Sequence, residues 1–300
     1  MKKSLLIFLC LCLIIPFCTS CESKKINEDK ITVVSTIFPA YDFVREIAKD
    51  KVNNILLLPP GKDSHSFDPS AKDIMNIRAC KLFIYTGGES DTWVNKILSA
   101  NEKNDETVVA LTKLFGITHE HEHNHEYDEH VWTSPKNAKL IAEEIRNKLC
   151  EIDAENADFY NDNTTDFINR IDELDNEINT VINNSKRKII AVADRFPLLH
   201  FVNYYGLEYI SAFPGCSSKT EVSPSTLAKL IQKVEEENIP IVFKIELSDG
   251  YTANAVAKET NTQIFTFYSL HNVSKYDFEN GEGYISLMKK NCDSLKIALN

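Results

Sequence analysis

Short apolar runs rich in β-branched residues alternate along this chain with segments in which apolar residues recur every three or four positions. In the first half, these runs predict strands at residues 31–37, 53–58, 81–87 and 107–111. In the second half, they predict strands at residues 188–194, 207–213, 239–246 and 263–269. The segments between the strands have helical periodicity. Strands that alternate with helices predict an α/β fold with a parallel sheet in each half.

The two halves are separated by a polar stretch, residues 152–186, that carries one apolar stripe. The members of the stripe are spaced three, four or seven residues apart, so they share one face of a helix: Tyr160, Phe167, Ile171, Leu174, Ile178 and Val181. About thirty helical residues at about 1.5 Å each make a rod of roughly 45 Å. We therefore expect one long, rigid helix joining lobes at 31–151 and 187–300. The alternative is an ordinary amphipathic helix packed within one domain.

The first twenty residues are typical of a secretory signal. Lys2 and Lys3 precede an apolar run, residues 5–16, that is too short to span a bilayer as a mature helix. Small residues then lead to Cys21, and the segment is similar to a bacterial lipoprotein signal, in which such a cysteine is lipidated. Residues 21–30 are expected to form a flexible tether. These features predict a lipid-anchored protein on the extracytoplasmic face of the cell membrane.

The net charge of the chain limits the kinds of partner that its surface can attract. The formal charge is −11 and becomes −13 once the two lysines leave with the signal. An acidic surface argues against nucleic acid as a partner and favours the attraction of cations.

The cysteines that remain after the signal and Cys21 are widely spaced and lack a C-x-x-C pair: Cys80, Cys150, Cys216 and Cys292. Buried thiols are therefore favoured over a disulfide framework, with a single bridge as the alternative.

Histidines supply the candidate chemistry, because neutral imidazole is the commonest metal ligand among side chains. Four of the eight histidines stand apart from one another: His65, His130, His200 and His271. In open parallel sheets, ligands bind beyond the carboxyl ends of strands. The candidate ligands that closely follow predicted strands are His65, Asp194, Glu246 and His271. The pattern indicates a folded metal site.

The other four histidines lie in HEHEHNHE, residues 119–126, where they alternate with acids and one asparagine. No apolar residue interrupts this tract, so it cannot bury a face and is expected to be a mobile loop. Its histidines are expected to gather metal weakly near the folded site: His119, His121, His123 and His125. The alternative is a solvated charged loop with incidental metal affinity.

Several longer motifs resemble one known family. They cover nearly all of the mature chain and include FPAYDFVREIA, PPGKDSHSFDPS, FIYTGGESDTWV, DEHVWTSPKNA, IVFKIE and YISLMKKNCDSL. The chain resembles the solute-binding lipoproteins of the zinc/manganese class of bacterial ABC importers. This resemblance implies two α/β lobes bridged by one long helix, with a metal ion in the cleft between them. It also implies a monomeric, non-enzymatic protein whose partners are an ABC permease and its ATPase.

The resemblance carries over two metal ligands cleanly, His65 and His130. The family usually places a third ligand after the first strand of the second lobe, where this chain has Asp194 and Arg195. The usual acidic ligand after the last strand is also absent, and His271 stands close to that place. Zinc accepts imidazole and carboxylate in four-coordinate sites. We therefore expect Zn(II) to be bound by His65, His130, His271 and Asp194.

Several alternatives remain open at this point. His200, Glu246 or water could hold the fourth position, and Arg195 could pair with Asp194 or Glu246 and withdraw that acid from the metal. Three acids could accept hydrogen bonds from ligating histidines: Asp63, Asp68 and Asp128. Manganese is the alternative cargo. A secreted zinc hydrolase is the alternative class, because HNHEYDEH is near the H-x-H-x-D-H pattern of metallo-β-lactamase-like enzymes.

Overall fold

The computed structural model describes residues 27–100, 107–117, 128–215 and 222–300, without the side chain of His65. The strands of the amino-terminal lobe are β1 (Thr32–Ser35), β2 (Asn53–Leu56), β3 (Leu82–Tyr85) and β4 (Val108–Ala110). Its helices are α1 (Phe38–Ala48), α2 (Ala71–Ala79), α3 (Trp93–Ser99) and α4 (Pro135–Ile152). The strands are parallel and lie in the order β2-β1-β3-β4.

Helix α5 (Ala157–Asn183) then leads into the carboxy-terminal lobe. The strands of this lobe are β5 (Ile189–Val192), β6 (Glu208–Ser211), β7 (Ile241–Ile245) and β8 (Gln263–Phe267). Its helices are α6 (Leu199–Tyr205), α7 (Pro224–Glu236), α8 (Tyr251–Thr260), α9 (Lys275–Glu279) and α10 (Tyr284–Ala298). The parallel order β6-β5-β7-β8 repeats that of the first lobe. The predicted α/β class with two parallel sheets is confirmed.

Strand composition follows position in each sheet. The central strands β3 and β5, LFIY and IIAV, are buried at every residue because helices cover both faces of a parallel sheet. The edge strands β2 and β6 are more polar and only partly buried.

Helix α2 begins with a capping box, in which the Ser70 hydroxyl accepts from the amide of Asp73 and the Asp73 carboxylate accepts from the amide of Ser70.

Helix α5 is 27 residues long, which corresponds to roughly 40 Å. Five of the six residues in the predicted stripe are buried, namely Tyr160, Phe167, Ile171, Leu174 and Ile178. Val181 is only partly buried, and Ile182 takes the next buried position. The helix packs against α1, α4 and α10, which confirms the single long helix joining the lobes. The domain boundaries at 151 and 187 stay predictions.

One hydrophobic core crosses both lobes. The ring of Phe43 on α1 lies 5.1 Å from that of Phe167 on α5 and 5.2 Å from that of Tyr284 on α10, centroid to centroid. Beside them, the buried Asp42 carboxylate accepts a 2.6 Å hydrogen bond from the Tyr284 amide and pairs with Arg45 at 2.5 Å. Burial raises the pKa of Asp42 to about 6, although the Arg45 charge opposes this. The lobes are therefore joined by packed elements rather than by a hinge of loops.

Some sequence predictions concern residues beyond this description. The signal 1–20, Cys21, the tract 119–126 and Cys216 lie outside the described residues. Cys80 and Cys292 are buried, and no disulfide links the cysteines that the structure describes. No helix in the described part of the chain is both long and apolar enough to cross a bilayer.

Candidate metal centre

The segment that precedes α4 folds into a tight turn centred on His130. The Glu129 carbonyl accepts from the Val131 amide at 2.9 Å, and His130 has φ −82° and ψ 50°. This geometry is that of an inverse γ-turn. The turn is buried, and the exposed fraction of His130 is 1%. It places consecutive side chains at the interface between the two lobes.

Asp128 orients the imidazole of His130. Its Oδ1 accepts from the His130 amide at 3.0 Å and lies 2.5 Å from Nδ1 of the ring. Its Oδ2 accepts a 3.0 Å hydrogen bond from the Leu199 amide of the second lobe. Burial opposes ionisation of Asp128, but the His130 and His200 charges and the hydrogen bonds from His130 lower its pKa. With Nδ1 donating to Asp128, the neutral ring of His130 carries its lone pair on Nε2.

His271 meets His130 from the opposite lobe. It follows β8 through Leu270, whose φ is 63°, and its Nδ1 lies 2.9 Å from Nε2 of His130. The two residues are 141 positions apart in sequence. His271 is 8% exposed, so this contact between imidazoles is buried. The sequence prediction that these two histidines converge therefore agrees with the geometry.

Glu246 orders the segment that carries His271. Its carboxylate accepts 2.7 Å hydrogen bonds from both the amide and the hydroxyl of Ser269. The Ser269 hydroxyl in turn accepts from the His271 amide at 3.3 Å, and the Ser269 carbonyl accepts from the Trp132 indole at 2.8 Å. Burial raises the pKa of Glu246 to about 7, and the hydrogen bonds from Ser269 oppose this shift. The structure thus gives Glu246 a contact with the His271 segment.

Glu129 is a candidate ligand that the sequence analysis missed. Among the described residues, Glu129, His130 and His271 form one buried group whose ligand atoms all lie within 4.8 Å of one another. Glu129 is 4% exposed, and its Oε2 accepts from the Ser90 amide at 3.1 Å. The available signal was its place between Asp128 and His130 in an Asp-Glu-His run.

Asp194 follows β5, as predicted, and lines the cleft. Its Oδ1 accepts from the Arg195 amide at 2.8 Å, and its Oδ2 accepts from the Ile245 amide at 3.3 Å. Asp194 is not part of the buried group that contains His130 and His271, within the described residues. Its carboxylate therefore links the ends of β5 and β7.

Arg195 pairs with an acid from the opposite lobe. Its guanidinium lies 2.9 Å from Oδ2 of Asp63, in the segment after β2. Both side chains are partly exposed, at 33% and 44%. The sequence had suggested Asp194 or Glu246 as the partner, whereas the pair found here spans the mouth of the cleft.

Of the remaining histidines, His200 contacts the site, whereas the side chain of His65 and the four histidines of the tract lie outside the described residues. Nε2 of His200 on α6 lies 2.8 Å from the Asp128 backbone carbonyl, which places this ring behind His130. His65 lies in a single 3-10 turn, Ser64–Ser66, and its side chain is outside the description. The four histidines of the tract also lie outside it.

A cavity of about 470 Å³ opens between the lobes beside this group. It is lined from both sides by polar residues that include Asp63, His130, Asp194, Arg195, Glu246 and His271. The cavity is far larger than one water, which occupies about 30 Å³ in the liquid. Imidazole nitrogen and carboxylate oxygen are ligands that suit zinc. The donor set therefore fits a divalent cation of this class.

A second buried acid, Asp91, lies close enough to Glu129 for their charges to interact. The Asp91 carboxylate accepts from the amides of Thr86, Gly87 and Gly88 at 2.7–3.2 Å. Burial raises the pKa of Asp91 to about 7, and the Glu129 charge adds to the shift. Two acids that are close enough to interact thus lie on the amino-terminal side of the group.

These features define a two-lobed α/β binding protein with a candidate metal site between its lobes. The profile of one family, described as zinc-uptake complex component A periplasmic, matches residues 33–298. The chain belongs to this family.

Relatives and a solved structure agree with this assignment. The high-affinity zinc uptake system protein ZnuA of Bacillus subtilis is 30% identical over 292 residues, covering 93% of this chain and 90% of ZnuA. The zinc-binding lipoprotein AdcA of Streptococcus pneumoniae is 29% identical, but this chain spans only 61% of its length. The Zn(II)-bound ZnuA-like domain of AdcA superposes with a TM-score of 0.77 at 28% identity, over 90% of this chain and 99% of that domain.

Proposed function

We propose that this protein is the extracytoplasmic zinc-binding component of an ABC metal importer, which captures Zn(II) and delivers it to a membrane permease. One observation carries the proposal: two buried imidazoles, one from each lobe, meet at 2.9 Å. Each belongs to a segment held by an acid, the buried Asp128 for His130 and the partly buried Glu246 for His271. Membership of a zinc-uptake family and an acidic composition support the same function.

Capture of the ion requires the two imidazoles in their neutral forms, with a nitrogen lone pair free for the metal. Because Nδ1 of His130 donates to Asp128, the contact between the rings is a hydrogen bond donated by Nδ1 of His271. A cation bound at Nδ1 of His271 would leave the ring proton on Nε2, and binding weakens as the pH falls because protons compete with the metal for the imidazole lone pairs. His65 is the proposed third histidine ligand, and Asp194 is the fourth ligand that the sequence predicts.

The partners proposed are an ABC permease and its ATPase, with the protein held at the membrane by lipid on Cys21. The family description as part of an uptake complex and the name lipoprotein for AdcA support this arrangement. A Cys21→Ser variant should move from the membrane fraction to the soluble or secreted fraction. Retention of this variant in the membrane fraction would reject the lipid anchor.

The metal content of the purified protein tests the proposed cargo. Protein isolated without added metal should carry one zinc ion per chain, measured by elemental mass spectrometry. After metal removal, zinc should displace manganese in a direct competition titration. Stable retention of manganese against zinc would instead favour manganese uptake.

A further inference from the structure

We infer that Glu129 is a carboxylate ligand of the captured cation and takes the role that the sequence assigns to Asp194. This inference rests on the proposed function, because it concerns the same buried group. It goes beyond that proposal in naming a residue that the sequence analysis did not single out.

The γ-turn at His130 brings Glu129 to the imidazoles. In a regular strand, successive side chains point to opposite faces, so adjacent ligands do not converge. The sharp reversal at His130 removes this alternation, and an oxygen of Glu129 lies within 4.8 Å of ligand nitrogens of both His130 and His271. The run from Asp128 to His130 therefore supplies an orienting acid, a carboxylate donor and an imidazole donor in succession.

The loop after β3 is shaped to receive this carboxylate. A Cβ added to Gly88 would lie 1.9 Å from Oε2 of Glu129 and 2.6 Å from its Cβ, so only glycine leaves room for the side chain. The Ser90 amide donates to Oε2 at 3.1 Å. Asp91 fixes the loop by accepting from three consecutive amides, from Thr86 to Gly88. The position of Glu129 is thus determined by a neighbouring element and not by its own turn alone.

The second carboxylate oxygen supplies the independent evidence for a ligand. Oε1 of Glu129 is buried and has no hydrogen-bond partner among the described residues. A buried polar atom in this state costs free energy unless a partner compensates it, and a buried charge costs more. Asp91 lies close enough to add its own negative charge. A divalent cation bound beside Glu129 satisfies the oxygen and offsets the repulsion.

Both carboxylate oxygens of Asp194, unlike Oε1 of Glu129, already have hydrogen-bond partners. Each of its two oxygens already accepts a backbone hydrogen bond, from Arg195 and from Ile245. It stands outside the buried group that the described residues form, and its neighbour Arg195 brings a positive charge to the same side of the cleft. These contacts indicate a structural role at the ends of β5 and β7.

The test compares Glu129→Gln with Asp194→Asn, two substitutions that remove one charge each and keep the side-chain shape. Zinc affinity is measured by competition with a chelator, and the metal-free variants are checked by thermal melting. Because the ion is held by few ligands, losing one of them should weaken zinc binding about 100-fold or more. Glu129→Gln should show this loss, and Asp194→Asn should stay within about tenfold of the wild type.

A His130→Ala variant separates failure of this inference from failure of the proposed function. If Glu129→Gln binds zinc like the wild type while His130→Ala does not, Glu129 is not a ligand and the function stands. If His130→Ala also binds normally, the proposed function itself is wrong.

A second measurement does not depend on any variant folding. A crystal structure of the zinc-loaded wild type, with the ion located by anomalous scattering, should place an oxygen of Glu129 about 2.0–2.2 Å from the metal. A zinc ion with Asp194 in that position and Glu129 out of reach overturns the inference.

Discussion

At the scale of single residues, Asp128 holds the proposed ligand His130 in place and also links the two lobes. It fixes the ring and amide of His130, and it accepts from Leu199 across the lobe interface. Carboxylates that hold ligating histidines set the tautomer and orientation of the ring. The charges of His130 and His200 and the hydrogen bonds from His130 lower the pKa of Asp128 against the effect of burial, which favours the carboxylate form that holds the ring.

We therefore predict that Asp128→Asn weakens zinc binding about 10- to 100-fold, measured by chelator competition at neutral pH. The matched control is His200→Ala, because among the described residues His200 reaches the site through a hydrogen bond to the Asp128 carbonyl, and its loss should leave zinc affinity nearly unchanged. An Asp128→Asn variant with wild-type affinity would show that the ring of His130 needs no orienting acid. A large loss in His200→Ala would instead make His200 part of the metal shell.

At the scale of secondary-structure elements, the segment after β2 and the segment after β5 meet across the cleft through Asp63 and Arg195. A partly exposed pair of this kind contributes only about 0–1 kcal/mol to stability. Its larger effect is electrostatic, because Arg195 is a positive charge that lines a cleft for cations and Asp63 neutralises it.

We predict opposite effects on the rate of zinc capture. Asp63→Asn removes a negative charge from the cleft and should slow association, whereas Arg195→Gln removes a positive charge and should speed it, and the double variant should be close to the wild type. Stopped-flow measurements with a fluorescent zinc indicator can follow these rates. The differences should shrink in high salt, since the Debye length falls to about 3 Å at 1 M. Rates that are equal in all variants at low salt would contradict an electrostatic role for the pair.

Elements were more predictable than the contacts between them. The two parallel sheets and helix α5 follow from periodicity, because that signal is local and repeats over many residues. The predicted strands are longer than the observed ones: residues 31–37 were predicted as a strand, but the strand covers only Thr32–Ser35. Apolar residues continue into the following loop and helix, and this hides the end of the strand in the sequence. Periodicity carries no information on which loops meet.

The site shows the same limit. Convergence of His130 and His271 was predicted because each stands at a lobe edge that the fold brings together. Glu129 was missed because its position depends on a γ-turn and on the glycine loop at Gly88, some forty residues earlier in the chain. The pairing of Arg195 with Asp63 was missed for the same reason, since the segments lie 132 residues apart.

At the scale of the whole molecule, a core that passes from α1 through α5 to α10 joins the lobes. Such packing limits hinge motion, so capture and release are expected to involve the loops around the cleft. We expect the tight site to form without the tract 119–126, which precedes the γ-turn segment that carries His130.

Deleting residues 119–126 should therefore remove weak additional zinc equivalents and leave the tight constant within about tenfold, or roughly 1.4 kcal/mol. Calorimetric titration of the metal-free protein resolves both classes of site. A much greater loss of tight affinity would mean that His119, His121, His123 or His125 is a primary ligand.

The most direct test of a zinc site shared between the lobes is a calorimetric zinc titration of metal-free wild type, His130→Ala and His271→Ala. The wild type should bind one ion tightly, and each variant should lose about 100-fold or more, because each removes one ligand and the two ligands come from different lobes. Unchanged melting of the metal-free variants would show that the loss is local. Near-normal tight binding in either variant would contradict the account.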